Sequence, residues 1–155
     1  MHKVVPFCVF MLMVLVGLTG CKSNKESEDM TQRDVLAEPV QILSSAQGPQ
    51  CGIETAMVKL IQTPAELEKM NAPVLEELKV DFQKNDIVLA TLGTCPTGGF
   101  AINITAIQKE GDTLYVEGST TVPPADAMVT QALTQPYCAA VIPKTGATKV
   151  RSSID

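Results

Sequence analysis

The central and C-terminal parts of the chain alternate apolar and polar residues, which is the pattern of β-strands that bury one face. Residues 100–106 and 114–119 alternate in this way, and the turn signal Glu110-Gly111-Asp112 between them predicts a hairpin. Residues 87–90 and 137–142 are continuously apolar, which indicates strands buried on both faces. We expect one face of the first alternating run to carry Phe100, Ile102, Ile104 and Ala106.

Upstream of these strands the pattern predicts one more strand, at residues 53–61, and then a short helical segment. The helix begins with Thr63-Pro64-Ala65-Glu66, which is typical of a capping box. In such a box the Thr63 hydroxyl accepts from the Glu66 amide, and the Glu66 carboxylate accepts from the Thr63 amide. Pro64 suits the first helical position, where its missing N–H is not needed. Ala72-Pro73 should interrupt the helix or restart it.

The fold class follows from the order of these elements. Pro123-Pro124 ends the second alternating run, and residues 148–151 predict a short last strand. We therefore expect an α+β fold: a mainly antiparallel β-sheet with a short helical segment inserted after the first strand.

The N-terminus carries an apolar run of a different kind. Residues 4–18 are almost wholly apolar and follow Met1-His2-Lys3, which is the layout of a secretory signal peptide. The run is short for a membrane span, which takes about 20 apolar residues. It ends in Leu18-Thr19-Gly20-Cys21, after which the chain becomes polar. An ordinary signal peptide with a coincidental cysteine and an uncleaved membrane anchor are the alternative interpretations.

The sequence Leu18-Thr19-Gly20-Cys21 resembles the lipobox of bacterial lipoproteins. The resemblance implies cleavage before Cys21 and acylation of that residue, with palmitate-type chains. This covalent lipid is the only cofactor that we expect, and it would hold the protein in the cell envelope. Lys22 and Ser23 lack the aspartate that favours inner-membrane retention in enterobacterial lipoproteins. If the cell has two membranes, the resemblance therefore favours the outer one.

The chain divides into three parts on this interpretation: a signal peptide (1–20), a flexible polar tether (21–39) and one folded domain (40–155). The formal net charge is −5, and it falls to about −6 without the signal peptide because Lys3 is removed. An acidic chain without basic runs lacks the electrostatic signature of a nucleic-acid-binding protein. Its membrane attachment must come from the lipid, and no small-molecule substrate is indicated.

Three cysteines, Cys51, Cys95 and Cys138, remain for the folded domain. An oxidising envelope would allow one disulfide, and the odd number leaves at least one thiol free. We prefer a Cys51–Cys95 pair because both residues lie beside turn glycines, with Cys138 as the alternative partner. Three buried, inert thiols remain the other interpretation. The spacings match no metal signature, so no metal site is expected.

The residue types argue against an enzyme. The only histidine, His2, lies in the signal peptide, which excludes histidine-activated nucleophiles and histidine-ligated zinc from the mature chain. Gly93, Gly98 and Gly99 fit neither a dinucleotide-binding fingerprint nor a P-loop. We therefore assign no catalytic residue.

One segment, residues 93–100, stands out as a candidate binding loop. It is rich in small residues, lies between two predicted strands and ends in an aromatic residue. The simpler interpretation of its glycines is a tight connection that needs positive φ angles. The functional hypothesis is a rigid loop that contacts a partner, with the following candidate residues: Pro96, Thr97, Gly98, Gly99 and Phe100.

The sequence of this loop and strand, Pro96-Thr97-Gly98-Gly99-Phe100-Ala101-Ile102-Asn103-Ile104, resembles the signature of PrcB-type domains. Further similar motifs lie at Val80-Asp81-Phe82, Asp86-Ile87-Val88, Pro123-Pro124, residues 128–137 and Val141-Ile142-Pro143-Lys144. The resemblance covers about residues 50 to 150. Phe100 departs from the tyrosine that is common in the family, and the three domain cysteines are not part of its pattern.

The resemblance implies a non-catalytic accessory lipoprotein that binds or stabilises an exported partner protein, which in the founding case is a secreted protease. One alternative is a protease inhibitor, since the loop of residues 96–100 is similar to the wedge loop of chagasin-like inhibitors, although Cys95 stands where those have asparagine. The other alternative is a structural envelope lipoprotein with no dedicated partner.

Overall fold

The computed structural model describes residues 37–155, so the predicted signal peptide, Cys21 and nearly all of the predicted tether lie outside the described residues. Eight strands and two short helices make up the described part. The strands are β1 (Glu38–Pro39), β2 (Ser44–Gly48), β3 (Ala56–Ile61), β4 (Asn85–Leu92), β5 (Ala101–Glu110), β6 (Thr113–Thr121), β7 (Tyr137–Pro143) and β8 (Lys149–Ile154), and the helices are α1 (Pro64–Glu68) and α2 (Pro73–Glu76).

The strands form two four-stranded sheets. Sheet A has the order β1-β5-β6-β8, and sheet B has the order β2-β7-β4-β3. Every pair is antiparallel except β6 with β8, which is parallel. The predicted α+β class with a mainly antiparallel sheet is thus confirmed. The helical segment follows the third strand, because β1 and β2 precede the first strand that the sequence predicts.

Sheet B is buried on both faces. Side chains on one face, such as Val88 and Ala140, pack against sheet A, whereas Ile87 and Ala139 on the other face pack under the helical segment. Apolar area on both sides of β4 and β7 explains their uninterrupted apolar sequences, since a strand between two layers has no face for water. The prediction that residues 87–90 form a doubly buried strand is confirmed.

The helical segment covers the outer face of sheet B with two single turns. Thr63 caps α1, with its Oγ1 3.2 Å from the Glu66 amide nitrogen, and Pro64 occupies the first turn. The Glu66 carboxylate, however, accepts at 2.8 Å from the amide of Gln62, one residue before the predicted donor. Both helices contribute one fully or nearly buried leucine each, Leu67 and Leu75, to the contact with the sheet.

The β5–β6 hairpin differs from its predicted pattern at one point. The turn itself is as expected: Glu110 pairs with Thr113, and Gly111 adopts a φ of 58°. A bulge between Ile104 and Ala106 shifts the register, so that Ile107 is buried and Ala106 is only partly so. The prediction that Ala106 shares the buried face of Ile104 is wrong, because the extra residue at the bulge reverses the alternation.

Candidate functional site

The glycine-rich loop of residues 93–100 leads from β4 into β5 and begins at a position that accepts no side chain. Gly93 has a φ of 70°, and a Cβ there would lie 2.6 Å from the Glu54 carbonyl oxygen and 2.8 Å from the Ala56 amide nitrogen. The following amide, of Thr94, donates to the same Glu54 carbonyl at 3.1 Å. Gly93 is therefore required by the close approach of two backbone segments.

The rest of the loop is hydrogen-bonded to a second irregular segment, residues 122–134, which follows β6. Cys95 and Thr134 exchange two backbone hydrogen bonds, at 2.8 and 3.0 Å. The Gly98 amide donates to the Thr130 carbonyl at 2.9 Å, and the Thr134 hydroxyl donates to the Thr97 carbonyl at 2.8 Å. We call these two connected segments, 93–100 and 122–134, the loop pair. Four hydrogen bonds between two connections hold the loop pair as one unit.

Gly98 and Gly99 serve this packing. A Cβ at Gly98 would collide with the Thr130 hydroxyl oxygen. Gly99 has a φ of 86°, and a Cβ there would lie 3.0 Å from both Pro123 Cβ and Val129 Cγ1. The two glycines thus let the two segments approach each other, and Gly99 also has the positive φ angle expected of a tight connection.

The five predicted binding residues therefore differ in what they present to solvent. Pro96 and Gly99 are exposed, Thr97 and Phe100 are half-buried, and Gly98 is buried. Phe100 lines a cleft beside the start of β5. The five residues lie in one loop, but the large exposed apolar side chains of the loop pair belong to the other segment, residues 122–134.

Three apolar side chains that the sequence reasoning did not single out lie exposed on the loop pair. Val122 and Leu133 are each 66% exposed, and Met128 is fully exposed. All three belong to the irregular segment 122–134, and within residues 37–155 only Leu43 joins them as a large exposed hydrophobic residue. Residues 118–143 contain a single charged side chain, Asp126, and residues 87–108 contain none. That scarcity of charge in a surface segment is the signal that could have pointed to them.

The loop pair lies at the opposite end of sheet A from the point where the described chain begins. β1 pairs with Gln108 and Lys109, near the hairpin turn, whereas β5 starts at the loop pair. A strand of this length spans roughly 30 Å. The described chain therefore begins at one end of sheet A, and the exposed apolar side chains lie at the other.

All three thiols of the described chain are free and buried. Burial raises the pKa of the Cys51, Cys95 and Cys138 thiols, which keeps them protonated and unreactive. Among residues 37–155 no group of three or more histidine, cysteine or acidic residues has the arrangement of a metal site.

The preferred Cys51–Cys95 disulfide does not form in the structure. The Cys51 amide donates to the Gln135 carbonyl, whereas Cys95 pairs with Thr134, so the two cysteines lie on opposite edges of one extended segment. Two strand spacings separate such positions by about 9–10 Å, whereas disulfide Cα atoms lie within about 7 Å. The alternative partner, Cys138, belongs to the core between the two sheets, and Cys51 to the core under the helices. Sheet B itself separates that pair.

No helix in the described part of the chain is long and apolar enough to cross a membrane.

The comparisons with known proteins identify the part of the chain that contains the loop pair. Residues 87–143 match the family described as PrcB C-terminal. The matched stretch runs from β4 to the end of β7 and includes both segments of the loop pair. Searches among curated proteins and among solved structures found no match to the chain. Residues 87–143 are thus PrcB-like in sequence, as the motifs in this stretch predicted.

Proposed function

We propose that this protein is a lipid-anchored, non-catalytic accessory lipoprotein that binds and stabilises an exported partner protein, in the first instance a protease. The observation that carries the proposal is the loop pair. It lies inside the PrcB-like stretch and exposes Val122, Met128 and Leu133 in a segment whose only charged residue is Asp126. Exposed apolar residues that are grouped in this way are typical of protein-binding surfaces.

The rigidity of the loop pair supports a binding role. Because the hydrogen bonds among Cys95, Gly98, Thr130 and Thr134 fix both segments, little conformational entropy is lost when a partner docks. An exposed apolar side chain contributes to binding in proportion to the apolar area that the partner removes from water. A partner that covers Met128 and Leu133 would do this without a rearrangement of the backbone.

The position of the loop pair supports the lipid anchor as part of the same function. If Cys21 carries lipid, the tether joins the described domain near β1. The loop pair lies at the opposite end of sheet A, roughly 30 Å along β5, so the attachment of the tether does not cover it. A protein outside the membrane is therefore the natural ligand of this surface.

The non-catalytic part of the proposal is supported by the available chemistry. The only histidine of the sequence is His2, and burial raises the pKa of each domain thiol. Neither a histidine-activated nucleophile nor a low-pKa cysteine is therefore at hand in residues 37–155.

The inhibitor alternative gains no support from the loop geometry. A wedge must project its backbone into an enzyme cleft, but Gly98 is buried against Thr130 and the Thr97 carbonyl already accepts from Thr134. An assay of the full chain against papain-like and subtilisin-like proteases tests it directly. Inhibition at micromolar concentration would restore this alternative.

Site-specific photo-crosslinking in intact cells tests the binding function. A photoreactive amino acid replaces Met128 or Leu133 in the full-length chain, and a third variant carries it at Glu76, an exposed residue on α2. We expect the first two positions to give the same discrete crosslinked protein and Glu76 to give none. Absence of a reproducible product from both loop-pair positions would contradict the proposal.

A further inference from the structure

The two sheets leave open edges beside each other along one side of the molecule. β2 is the outermost strand of sheet B, and its free edge faces β5 of sheet A. β1, the neighbour of β5, covers only Gln108 and Lys109, with one more hydrogen bond from Val40 to Ile107. Within residues 37–155 the first half of β5 therefore has no strand on its outer edge. We call the gap between this half of β5 and the end of β2 the seam.

The seam contains a cleft of about 260 Å³. Gly48 and Pro49 form its wall on the side of sheet B, and Phe100, Ala101 and Ile102 form the wall on the side of sheet A. None of the residues that line it is charged. Its exposed atoms are mainly apolar, so the cleft suits an uncharged side chain.

The backbone of Ile102 faces this cleft with its hydrogen-bonding groups unpaired. The neighbouring Asn103 carbonyl points toward β6, since a Cβ added at Gly118 of β6 would collide with it. Adjacent residues of a strand direct their N–H and C=O groups to opposite edges. The N–H and C=O of Ile102 therefore point into the seam, and no backbone partner for them exists among the described residues.

We propose that the seam binds an extended peptide strand that pairs with the first half of β5. An unpaired strand edge is matched in hydrogen-bonding pattern by another strand, and an adjacent pocket selects alternate side chains of that strand. The occupant is an uncharged segment of a partner protein with an apolar residue that enters the cleft beside Phe100. This deepens the proposed function, on which it rests for the identity of the partner as a protein.

A small apolar ligand and a second copy of this chain fit the seam less well. A small apolar molecule would leave the Ile102 N–H and C=O unpaired, which is unfavourable once water is excluded. A second copy would have to offer an exposed uncharged strand edge, but the edge strands β8 and β3 carry Lys149, Arg151 and Lys59. The uncharged edges of β2 and of the first half of β5 are themselves the walls of the seam, so they do not project into the seam of another copy. The uncharged lining and the unpaired backbone together favour an extended foreign segment.

The test is NMR titration of the full chain, labelled with ¹⁵N and held in detergent, with a blocked heptapeptide in which valine alternates with serine and glutamine. We expect the amide signals of Ile102 and Gly48 to shift and hydrogen exchange at the Ile102 amide to slow at least about tenfold. A second peptide, N-methylated at alternate positions, has the same side chains without half of its donors. It should bind at least about tenfold more weakly.

A matched pair of variants locates the site on the chain. Ala101→Arg places a charge at the mouth of the cleft, whereas Thr105→Arg places the same charge on the same strand outside it; both native residues are exposed. We expect the first variant to lose peptide binding and the second to retain it. Each variant's own amide spectrum shows whether it is folded.

Several results would overturn the seam proposal. Unchanged Ile102 and Gly48 signals at millimolar peptide would do so, and so would equal binding of the N-methylated peptide, which would indicate side-chain docking alone. Protection of the Ile102 amide that grows with protein concentration would identify a second copy as the occupant. Any of these results, with the crosslinks at Met128 and Leu133 intact, would leave the proposed function standing.

Discussion

The ammonium nitrogen of Lys144 lies 2.9 Å from the Oδ1 atom of Asp86, whose side chain is fully buried. The other carboxylate oxygen of Asp86 accepts from the side-chain amide of Gln62 at 3.2 Å, and the Lys144 ammonium also donates to the backbone carbonyl of Gln62. Asp86 is the second residue of β4 and Lys144 follows β7, so the ion pair joins the two central strands of sheet B at one end. Both residues belong to motifs on which the PrcB resemblance rests.

Replacing Lys144 with methionine should destabilise the protein strongly. Asp86 would remain buried with a hydrogen bond from Gln62 but without a cation, and such a loss typically costs about 3–5 kcal/mol. Because the Lys144 side chain is 39% exposed, we expect about 2–3 kcal/mol, measured by urea denaturation.

Lys84→Met is the matched control for this experiment. Lys84 lies 3.6 Å from Asp81, and both side chains are largely exposed. Its loss should change the free energy of unfolding by less than about 1 kcal/mol. Equal effects of the two substitutions would show that the Asp86 carboxylate does not depend on its cation.

Gly98→Ala should destabilise the loop pair through one identifiable contact. The new Cβ would collide with the Thr130 hydroxyl oxygen, and the next atoms, Thr130 Cβ and N, lie at ordinary distances of 3.5 and 3.6 Å. We expect a loss of about 1–3 kcal/mol. Thr130→Ala in the same chain should restore most of it, because the colliding oxygen is removed. A double-mutant cycle measures this rescue, and additive losses would contradict the predicted contact.

Met128→Ser and Leu133→Ser should weaken partner binding without affecting the fold. Both side chains are exposed, so their removal should change the free energy of unfolding by less than about 0.5 kcal/mol. Recovery of the partner that the photo-crosslinks identify should fall about tenfold in pull-down of the full-length protein. Leu43→Ser, which alters an exposed leucine outside the loop pair, is the control and should leave recovery unchanged.

The contribution of Asp112 to stability should depend on pH. Its carboxylate accepts from Lys149 at 2.9 Å and from Thr113 at 3.2 Å, and these hydrogen bonds, that of Lys149 first, lower the pKa of Asp112. A carboxyl group with a lowered pKa in the folded state stabilises the fold above its unfolded pKa of about 3.9. That stabilisation is lost as the pH falls through the folded pKa.

A comparison of the native chain with Asp112→Asn measures this dependence. The difference in free energy of unfolding between the two should be constant near neutral pH and should shrink as the pH falls from about 5 to about 2. A difference that does not change over that range would show that the Lys149 contact contributes nothing at this exposed site.

The three domain thiols should react slowly with an aromatic disulfide reagent until the chain unfolds. Cys51, Cys95 and Cys138 are between 1% and 7% exposed, and burial raises the pKa of each. After unfolding in denaturant without reductant, all three should react. Detection of only one by mass spectrometry of labelled peptides would instead demonstrate a disulfide.

The strands that the sequence predicts best are those whose burial is uniform. Residues 87–90 are apolar because both faces of β4 are covered by other parts of the protein. Four apolar residues in succession are typical of a strand that is buried on both faces. β2, by contrast, has the sequence Ser-Ser-Ala-Gln-Gly and lies at a sheet edge. Nothing in its pattern signals a strand, because its pairing with β7 is provided by backbone groups alone.

Two local errors have equally specific causes. The bulge after Ile104 is a backbone irregularity. The spacing of apolar residues alone does not reveal it, because both Ala106 and Ile107 are apolar and only the structure shows that Ile107 is the buried one. The Glu66 carboxylate accepts from Gln62 instead of Thr63, a difference of one residue that depends on how the chain leaves β3. Neither detail follows from residue type.

The candidate site was predicted only in part. The glycines of the loop are recognisable from sequence, but their role is to admit Thr130, Pro123 and Val129, which lie more than twenty residues away. Exposure of Met128 and Leu133 depends on how that distant segment folds back against the loop. Such contacts between irregular segments have no periodicity for a sequence pattern to reveal.

The strand order of sheet B has a consequence for how the protein is made. β7 lies between β2 and β4, so the strand that joins the two halves of the sheet is the penultimate one in the chain. A polypeptide that emerges from a ribosome or a translocation channel N-terminus first cannot assemble this sheet until Pro143 has emerged. Until then β2 and β4 lack their common partner, and pairings so distant in sequence form slowly. Synthesis of residues 37–143 thus precedes the assembly of sheet B, and until β7 has emerged the unpaired β2 and β4 remain accessible to chaperones.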